Sequence, residues 1–241
     1  MSSSKKTFWT ETLPDPLPAN PREIAAQWLA QAQREAAQPN PNSMILATVD
    51  ARGYPSARVV LCKEIAAQQG FILFYTNYLS RKGTELAQNP RAAVVFHWDH
   101  LHRQVRAEGK VELLPDAEND GYFRTRGWQK QLGAWASQQS QPVASRDVLV
   151  TAVAREARRF GIPYEGPGSA EPDHISTAVP RPPNWGGYRL MIDAVELWVE
   201  GEYRIHDRAR WTRTLAPTSG PGGPGGPDDL AAAWTATRLQ P

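Results

Sequence analysis

Five runs of aliphatic, β-branched and aromatic residues follow one another between Met44 and Leu113, and a chain with that spacing is committed to β-structure. The runs are Met44–Val49, Ala57–Ile65, Phe71–Thr76, Ala92–Trp98 and Gln104–Leu113. The last alternates, with Val105, Ala107, Gly109, Val111 and Leu113 on one face and Gln104, Arg106, Glu108, Lys110 and Glu112 on the other. Asp50-Ala51-Arg52-Gly53 reads as a hairpin turn after the first run. Strand character returns at Tyr188–Glu200, Arg204–Arg213 and Trp234–Leu239. Many strands with few helices between them predict a mainly β fold, an antiparallel barrel with helices at its ends.

The helices carry their own punctuation. Asn20-Pro21-Arg22-Glu23 supplies an N-cap, a proline at the first helical position and a glutamate at the third. The spacing of Ile24, Trp28, Leu29 and Ala32 continues that helix to about Ala37. Shorter helices are expected at Ser80–Gln88 and Asp116–Thr125, and a longer one at Arg146–Phe160 with Ser145 as N-cap and Gly161 after it. Residues 1–19 read as a flexible N-terminal arm, and 20–241 as a single domain. Residues 161–183 read as a long loop, and Pro217–Asp229 as a low-complexity loop inside the final hairpin.

Charge and cysteine content exclude several classes. A formal net charge of +2 over 241 residues gives no bulk attraction for nucleic acid or a membrane surface, so any phosphate binding must be local. The lone cysteine, Cys62, excludes an internal disulfide and fits a reducing cytoplasm. There is no apolar run long enough for a membrane helix, and no apolar segment follows the basic N-terminal residues as a signal peptide requires. A cytoplasmic location is expected.

Candidate chemistry lies in a few short segments. In Arg204-Ile205-His206-Asp207-Arg208, a regular strand puts Arg204, His206 and Arg208 on one face, an arrangement that asks for an anionic or electron-rich ligand; the alternative is a solvated basic edge. Ser80-Arg81-Lys82 sets two cations at a helix start, where an anion would stabilise both and exposed cations would be tolerated at small cost. Arg58 and Lys63 fall on opposite faces of one regular strand, unless a bulge intervenes. Tyr122, Arg126 and Lys130 recur at i, i+4 and i+8, aligned for a phosphate if the helix runs past Gly127, or forming a plain exposed face. Trp185-Gly186-Gly187 offers an aromatic plane beside residues that allow close approach, although Trp is also an ordinary core residue. His97, Asp99, His100 and His102 match no zinc spacing, and no metal site is expected.

In order and spacing, RVVLCK (58–63), FYTNYLSRKGTELAQNPRAAVVF (74–96), RQVRAEGKVE (103–112), QLGAWASQQS (131–140), PPNWGGYRL (182–190), VELWVEG (195–201), RIHDR (204–208) and RLQP (238–241) resemble the pyridoxamine 5′-phosphate oxidase family. The resemblance implies an FMN-binding split β-barrel and a homodimer with FMN at the subunit interface. It implies oxidation of pyridoxamine or pyridoxine 5′-phosphate to pyridoxal 5′-phosphate, with O2 as acceptor and H2O2 released. Carried over, Arg58, Arg81, Lys82, Gln139 and Ser140 surround the FMN phosphate. Val59, Val60, Leu61, Tyr75 and Thr76 line the rest of the cofactor, and Gln104, Trp185 and Arg208 contact FMN or its ring. Lys63, Tyr122, Arg126 and Lys130 take the substrate phosphate. Arg204 would orient the substrate ring and His206 would help a proton leave. Lys130 stands where the family usually has Ser, Gly127-Trp128 replaces the usual Pro after the arginine, and the Arg-Arg-x-Tyr motif of the N-terminal arm is not evident. Two alternatives remain: an oxidase of the phenazine-biosynthesis type, and a non-catalytic flavin- or pyridoxal-phosphate-binding module.

Overall fold

In the computed structural model, residues 11–168, 177–214 and 233–241 are described. In chain order the elements are α1 (Pro21–Glu35), β1 (Ser43–Val49), β2 (Pro55–Ala66), β3 (Phe71–Asn77), α2 (Arg81–Gln88), β4 (Arg91–Trp98), β5 (Arg103–Leu113), α3 (Asp116–Arg124), α4 (Trp128–Ala136), α5 (Arg146–Arg159), β6 (Trp185–Val199), β7 (Asp207–Thr212) and β8 (Thr235–Leu239). Short 3₁₀ turns lie at Asp99–Leu101 and Glu202–Arg204. Backbone contacts group these into two units: one of the described residues up to Phe74, Asn89–Glu112 and Arg189 onward, the other of Tyr75–Gln88 and Leu113–Tyr188.

The first unit is the barrel. Strand order is β3-β2-β1-β4-β5-β6-β7-β8, and a further β3–β6 pairing closes the first six into an antiparallel barrel. Closure removes the sheet edges that would otherwise be left open. Met44, Leu46, Ile72, Phe74, Val94, Phe96, Leu190 and Ile192 are all buried, as the period-2 pattern requires. β6 is long enough to serve two roles, since its Ala194–Val199 stretch pairs with β7 at Thr212–Asp207. The hairpin after β1 forms as expected, with Gly53 at φ +87° and its N–H donating to the Asp50 carbonyl at 3.0 Å.

The start of α1 follows its sequence signal. The Asn20 side chain accepts from the Arg22 N–H, and its amide donates to Glu23 at 3.2 Å. The buried face is Ala25, Trp28, Leu29 and Ala32, with Ile24 only half-buried. Arg103, itself buried, lies over the Trp28 ring at 4.8 Å and donates to Gln31 and Glu11. Of the arm expected at 1–19, residues 1–10 lie outside the described residues. Within 11–19, Leu13 is buried, its N–H donates to Asp207 at 2.7 Å, and the Pro18 carbonyl accepts from Trp211.

The second unit is built around Phe123, Trp128, Leu132, Ala157, Ile162, Val179 and Trp185. The interrupted helix here differs from the expected continuous face. α3 stops at Arg124 and α4 restarts at Trp128, because Gly127 sits outside helical geometry at φ −55°, ψ 144°. Tyr122, Arg126 and Lys130 are therefore not stacked at i, i+4, i+8 on one helix. α5 forms as expected, although Ser145 makes no side-chain cap bond. Three further expectations change. Leu113, placed on the same face as Val105 and Val111, is 61 % exposed as the last residue of β5. β7 begins at Asp207, not Arg204. The low-complexity loop at 217–229 lies outside the described residues, as do 169–176 of the long loop.

Cys62 is buried in the barrel wall, and burial pushes its thiol up from 9.0 to about 12. The unfolded chain gives up this proton from about pH 9 while the folded chain holds it to about 12. The thiol's contribution is thus complete below pH 9 and is lost as pH rises through that window. Tyr188, also raised to about 12 by burial, adds its own loss only above its ordinary value of 10.0. Urea denaturation should therefore show stability falling between pH 9 and 10, and Cys62→Ala should flatten that fall. A slope unchanged in the variant would contradict this account.

Candidate functional site

In the helical unit, the start of α2 separates its two cations. Arg81 turns outward and pairs with Glu85 at 2.8 Å, one turn along the helix. Lys82 turns inward and is buried. Its ammonium donates to Gln139 Oε1 at 2.8 Å, Thr76 Oγ1 at 3.1 Å and Ser80 Oγ at 3.3 Å. Thr76 also donates to Gln139 at 3.2 Å. β3, α2 and the loop after α4 thus converge on one buried amine, with Ser140 beside Gln139 in left-handed geometry at φ +73°. An ammonium fixed by three side-chain oxygens at a helix start is a group that can bind an anion.

A second cluster in the same unit is aromatic. Tyr75 and Tyr122 stack with centroids 4.0 Å apart, and Tyr75 lies nearly parallel to Trp185 at 5.1 Å. The Arg126 guanidinium sits over the Trp185 ring, 4.5 Å from its centroid. Its Nη1 is buried without a hydrogen-bond partner, and desolvation lowers the pKa of the group. A guanidinium nitrogen in that condition costs stability unless an anion reaches it. Lys130 is exposed on α4, away from any continuous helix face shared with Tyr122. The two glycines after Trp185 make room for the protein itself: a Cβ on Gly186 would lie 2.0 Å from the Tyr78 hydroxyl, and one on Gly187 2.9 Å from the Tyr75 ring.

In the barrel unit, Arg58 and Lys63 share β2, and register shifts between Cys62 and Glu64. Lys63 is therefore the residue at a bulge, exposed. Arg58 pairs across to Leu46 and donates to the Leu46 carbonyl at 3.3 Å and to the Thr48 and Ser56 hydroxyls. Val59 and Leu61 are exposed, whereas Val60 shares the face of Arg58. Gln104 sits on the outer face of β5 opposite His97.

The 204–208 run is not a strand with three basic side chains on one face. Arg204 closes a 3₁₀ turn, and Tyr203 and Arg204 both have left-handed backbones, at φ +55° and +66°. Two such residues in succession are costly without glycine, so the backbone of this turn is strained. Ile205 is 72 % exposed and does not anchor the segment. Asp207 does anchor it, accepting from Leu13 and Arg238. His206 leans on Trp198 at 4.7 Å, and its Nδ1 accepts the Gly201 N–H at 3.1 Å. Arg208 donates through Nε and Nη2 to Glu196, at 3.2 and 2.8 Å, and through Nη1 to the Gln240 carbonyl.

Glu196, Trp198 and Gly201 are the residues that sequence reading missed. Glu196 is buried and also pairs with Arg106 at 3.4 Å. Its signal was a carboxylate inside the apolar run Val195–Val199, a position that demands a cationic partner. Among the described residues, no group of three or more His, Cys, Asp or Glu side chains is placed to hold a metal, and no helix is long and apolar enough to cross a membrane.

Residues 29–158 match the family model for pyridoxamine 5′-phosphate oxidase, and residues 185–241 that for the pyridoxine 5′-phosphate oxidase C-terminal dimerisation region. A pyridoxine/pyridoxamine 5′-phosphate oxidase of Rhodopseudomonas palustris (strain HaA2) is 44% identical over 223 residues, 92% of this chain and 90% of its own length. One from Methylibium petroleiphilum is 48% identical over 202 residues, 84% of this chain and 85% of its own. Among solved structures, PhzG from Burkholderia lata 383, in complex with tetrahydrophenazine-1-carboxylic acid, matches with a TM-score of 0.74 at 28% identity, covering 94% of this chain and 95% of its own. A pyridoxamine 5′-phosphate oxidase-related, FMN binding protein from Nostoc punctiforme shares the fold, with a TM-score of 0.62 at 16% identity over 92% of this chain and 97% of its own.

The orphaned nitrogen of Arg126 makes a stability prediction. Arg126→Met gives up cation–π contacts with Trp185 and Phe123 of roughly 0.5–1 kcal/mol each but removes a buried unpaired polar atom costing roughly 1–3 kcal/mol. The ligand-free variant should therefore be no less stable than the parent in urea unfolding, and should bind phosphate esters more weakly. A less stable variant would show that Arg126 is a structural cation.

Proposed function

Because the chain belongs to the pyridoxamine 5′-phosphate oxidase family, we propose that it oxidises pyridoxamine 5′-phosphate, pyridoxine 5′-phosphate or both to pyridoxal 5′-phosphate. We further propose that it works as an FMN-dependent cytoplasmic homodimer with FMN at the subunit interface, using O2 and releasing H2O2. The observation that carries the reading is Arg126, whose Nη1 is buried without a partner over Trp185. A phosphate monoester answers that nitrogen with a charged acceptor, as a carboxylate would, and it is the family membership that favours the phosphate. Tyr122, on the Trp185 side of the same cluster, is assigned with Arg126 to the substrate phosphate, and Lys63 and Lys130 are assigned to it as point charges.

The residues present suit FMN. Lys82 with Gln139 and Thr76 forms a buried cationic cradle, which we assign to the cofactor phosphate together with Arg58, Arg81 and Ser140. Val59, Val60, Leu61, Tyr75, Gln104, Trp185 and Arg208 are assigned to the remainder of the cofactor. When bound, FMN supplies the two-electron acceptor whose reoxidation by O2 yields H2O2. The protein's own contribution is to bind and orient. Arg204 and His206 are assigned to the substrate ring, and Glu196 positions Arg208 through its two hydrogen bonds.

The test is spectroscopic. The purified protein should carry flavin absorption that bleaches when pyridoxine 5′-phosphate is added without oxygen and returns with air. Neutralising Arg204 (Arg204→Met) should cut turnover by about 10²-fold or more and leave flavin bound. Protein that bleaches with neither B6 phosphate but turns over a phosphate-free aromatic substrate would favour the phenazine-type activity of the solved relative. Yellow protein that turns over nothing would favour a binding module.

A further inference from the structure

Helix α3 and the first residues of β6 are tied together through one buried amide. Asn119, on α3, is 1 % exposed, and its Oδ1 accepts the Gly187 N–H at 2.8 Å. Its Nδ2 donates to the Leu114 carbonyl at 3.1 Å and to the Tyr78 hydroxyl at 3.3 Å. That hydroxyl in turn donates to the Gly187 carbonyl at 3.3 Å, which also accepts the Leu114 N–H at 3.0 Å. Both backbone groups of Gly187 and both ends of the Asn119 amide are therefore satisfied inside the fold. Burial pushes up the pKa of Tyr78, so its hydroxyl keeps the proton that it donates. Asp in place of Asn119 could not donate to the Leu114 carbonyl, and Leu would offer Gly187 nothing.

This tie sits beside the aromatic cluster. Tyr122 and Phe123 follow Asn119 on the same helix, and Trp185 lies two residues before Gly187. Arg181 makes a parallel tie, donating to the Trp185 carbonyl at 2.8 Å and to Asp120 of α3 at 2.6 Å. Gly187 backs the Tyr75 ring, since a Cβ there would come within 2.9 Å of it. Tyr75 in turn stacks on both Tyr122 and Trp185. Arg126, just beyond α3, rests its guanidinium on Trp185 at 4.5 Å and on Phe123 at 5.5 Å. Stacked rings tolerate offset, whereas hydrogen bonds fix distance and direction, so the Asn119 amide sets how Trp185 is seated against α3. We propose that Asn119 is a positioning residue: by holding Gly187 to α3 it seats Trp185 so that Arg126 is aimed at the substrate phosphate. The proposal rests on the assignment of Arg126 to that phosphate, and Asn119 itself touches no ligand.

Calorimetric titration of the flavin-loaded, full-length protein with 4-deoxypyridoxine 5′-phosphate tests this without turnover. The analogue carries the phosphate but neither the hydroxyl nor the amine at C4′ that oxidation needs. Asn119→Leu should weaken binding by about tenfold, the worth of one lost hydrogen bond to a charged oxygen. In an Arg126→Met background the same substitution should weaken it by less than about threefold, because the group being aimed is gone. Equal losses in the two backgrounds would overturn the proposal, as would an unchanged affinity in a variant that is merely less stable in urea. In turnover of pyridoxine 5′-phosphate, Asn119→Leu should raise KM by about tenfold and keep kcat within about twofold. A loss confined to kcat would overturn the positioning role. Tyr78→Phe keeps the ring and its edge contact with Tyr188 at 5.3 Å but removes one tie to Gly187. It should show the same pattern at about threefold, and it decides the matter if Asn119→Leu does not fold. A parent protein that binds the analogue but oxidises neither B6 phosphate would refute the oxidase reading, while the affinity cycle still decides on Asn119. A parent that does not bind the analogue would overturn both.

Discussion

The barrel depends on how β6 is seated. This strand closes the sheet against β3 and then continues outward to carry β7, so it is buried along most of its length on both faces. Its seat against β5 is set by Gly109, where a Cβ would fall 1.8 Å from the Met191 carbonyl oxygen. Any larger residue there would push the backbones apart or shift the register, and a one-residue slip would reverse every side chain beyond it. Glu196 shows what hangs on that register. As placed, it is buried with Arg208 and Arg106 on its carboxylate, whereas on the other face it would be a buried charge without those partners.

Much of this was legible because it follows from local periodicity. The alternation from Gln104 to Val111, the Asn20 cap and the Asp50–Gly53 turn each depend on residues close in sequence, and each formed. Where reading failed, distant contacts overruled the local pattern. Leu113 continues the apolar alternation but lies beyond the point where the barrel needs it. Helix α4 was missed because Gly127 looks like a terminator, and it is one, but the aromatic core around Trp128 and Leu132 starts a new helix directly after it. In the 204–208 run, period 2 was the natural assumption, yet Gly201 allows the chain to fold back before the strand begins. The glycine was visible in the sequence. The carbonyl it makes room for was not.

The strained turn and the orphaned guanidinium have the same thermodynamic meaning. Left-handed backbone at two non-glycine residues costs of order 1–3 kcal/mol each, and the Arg126 nitrogen adds a comparable amount. Neither feature improves the fold, and both persist because the neighbouring β6–β7 pairing and the aromatic cluster hold them in place. A sequence under selection for stability alone would relax both. Such local conflicts with an otherwise consistent structure are where ligand chemistry is expected.

Net charge of +2 conceals this division, because the cations fall into different environments. Arg208, Arg210 and Arg181 each meet a carboxylate, and Glu108 is held below the ordinary carboxylate range chiefly by its hydrogen bond from Arg210. These pairs hold segments together. Arg126 differs, since its buried Nη1 has no hydrogen-bond partner among the described residues. Arg81 falls between the classes: it stands at a helix start beside Lys82, but its guanidinium is already spent on Glu85. The arginine side of that pair is mostly exposed but the Glu85 carboxylate is only 5 % exposed, so pulling Arg81 away would take a partner from a buried charge. The pair is therefore held more firmly than an ion pair exposed on both sides, and Arg81 is ordered along the first turn of α2 by it.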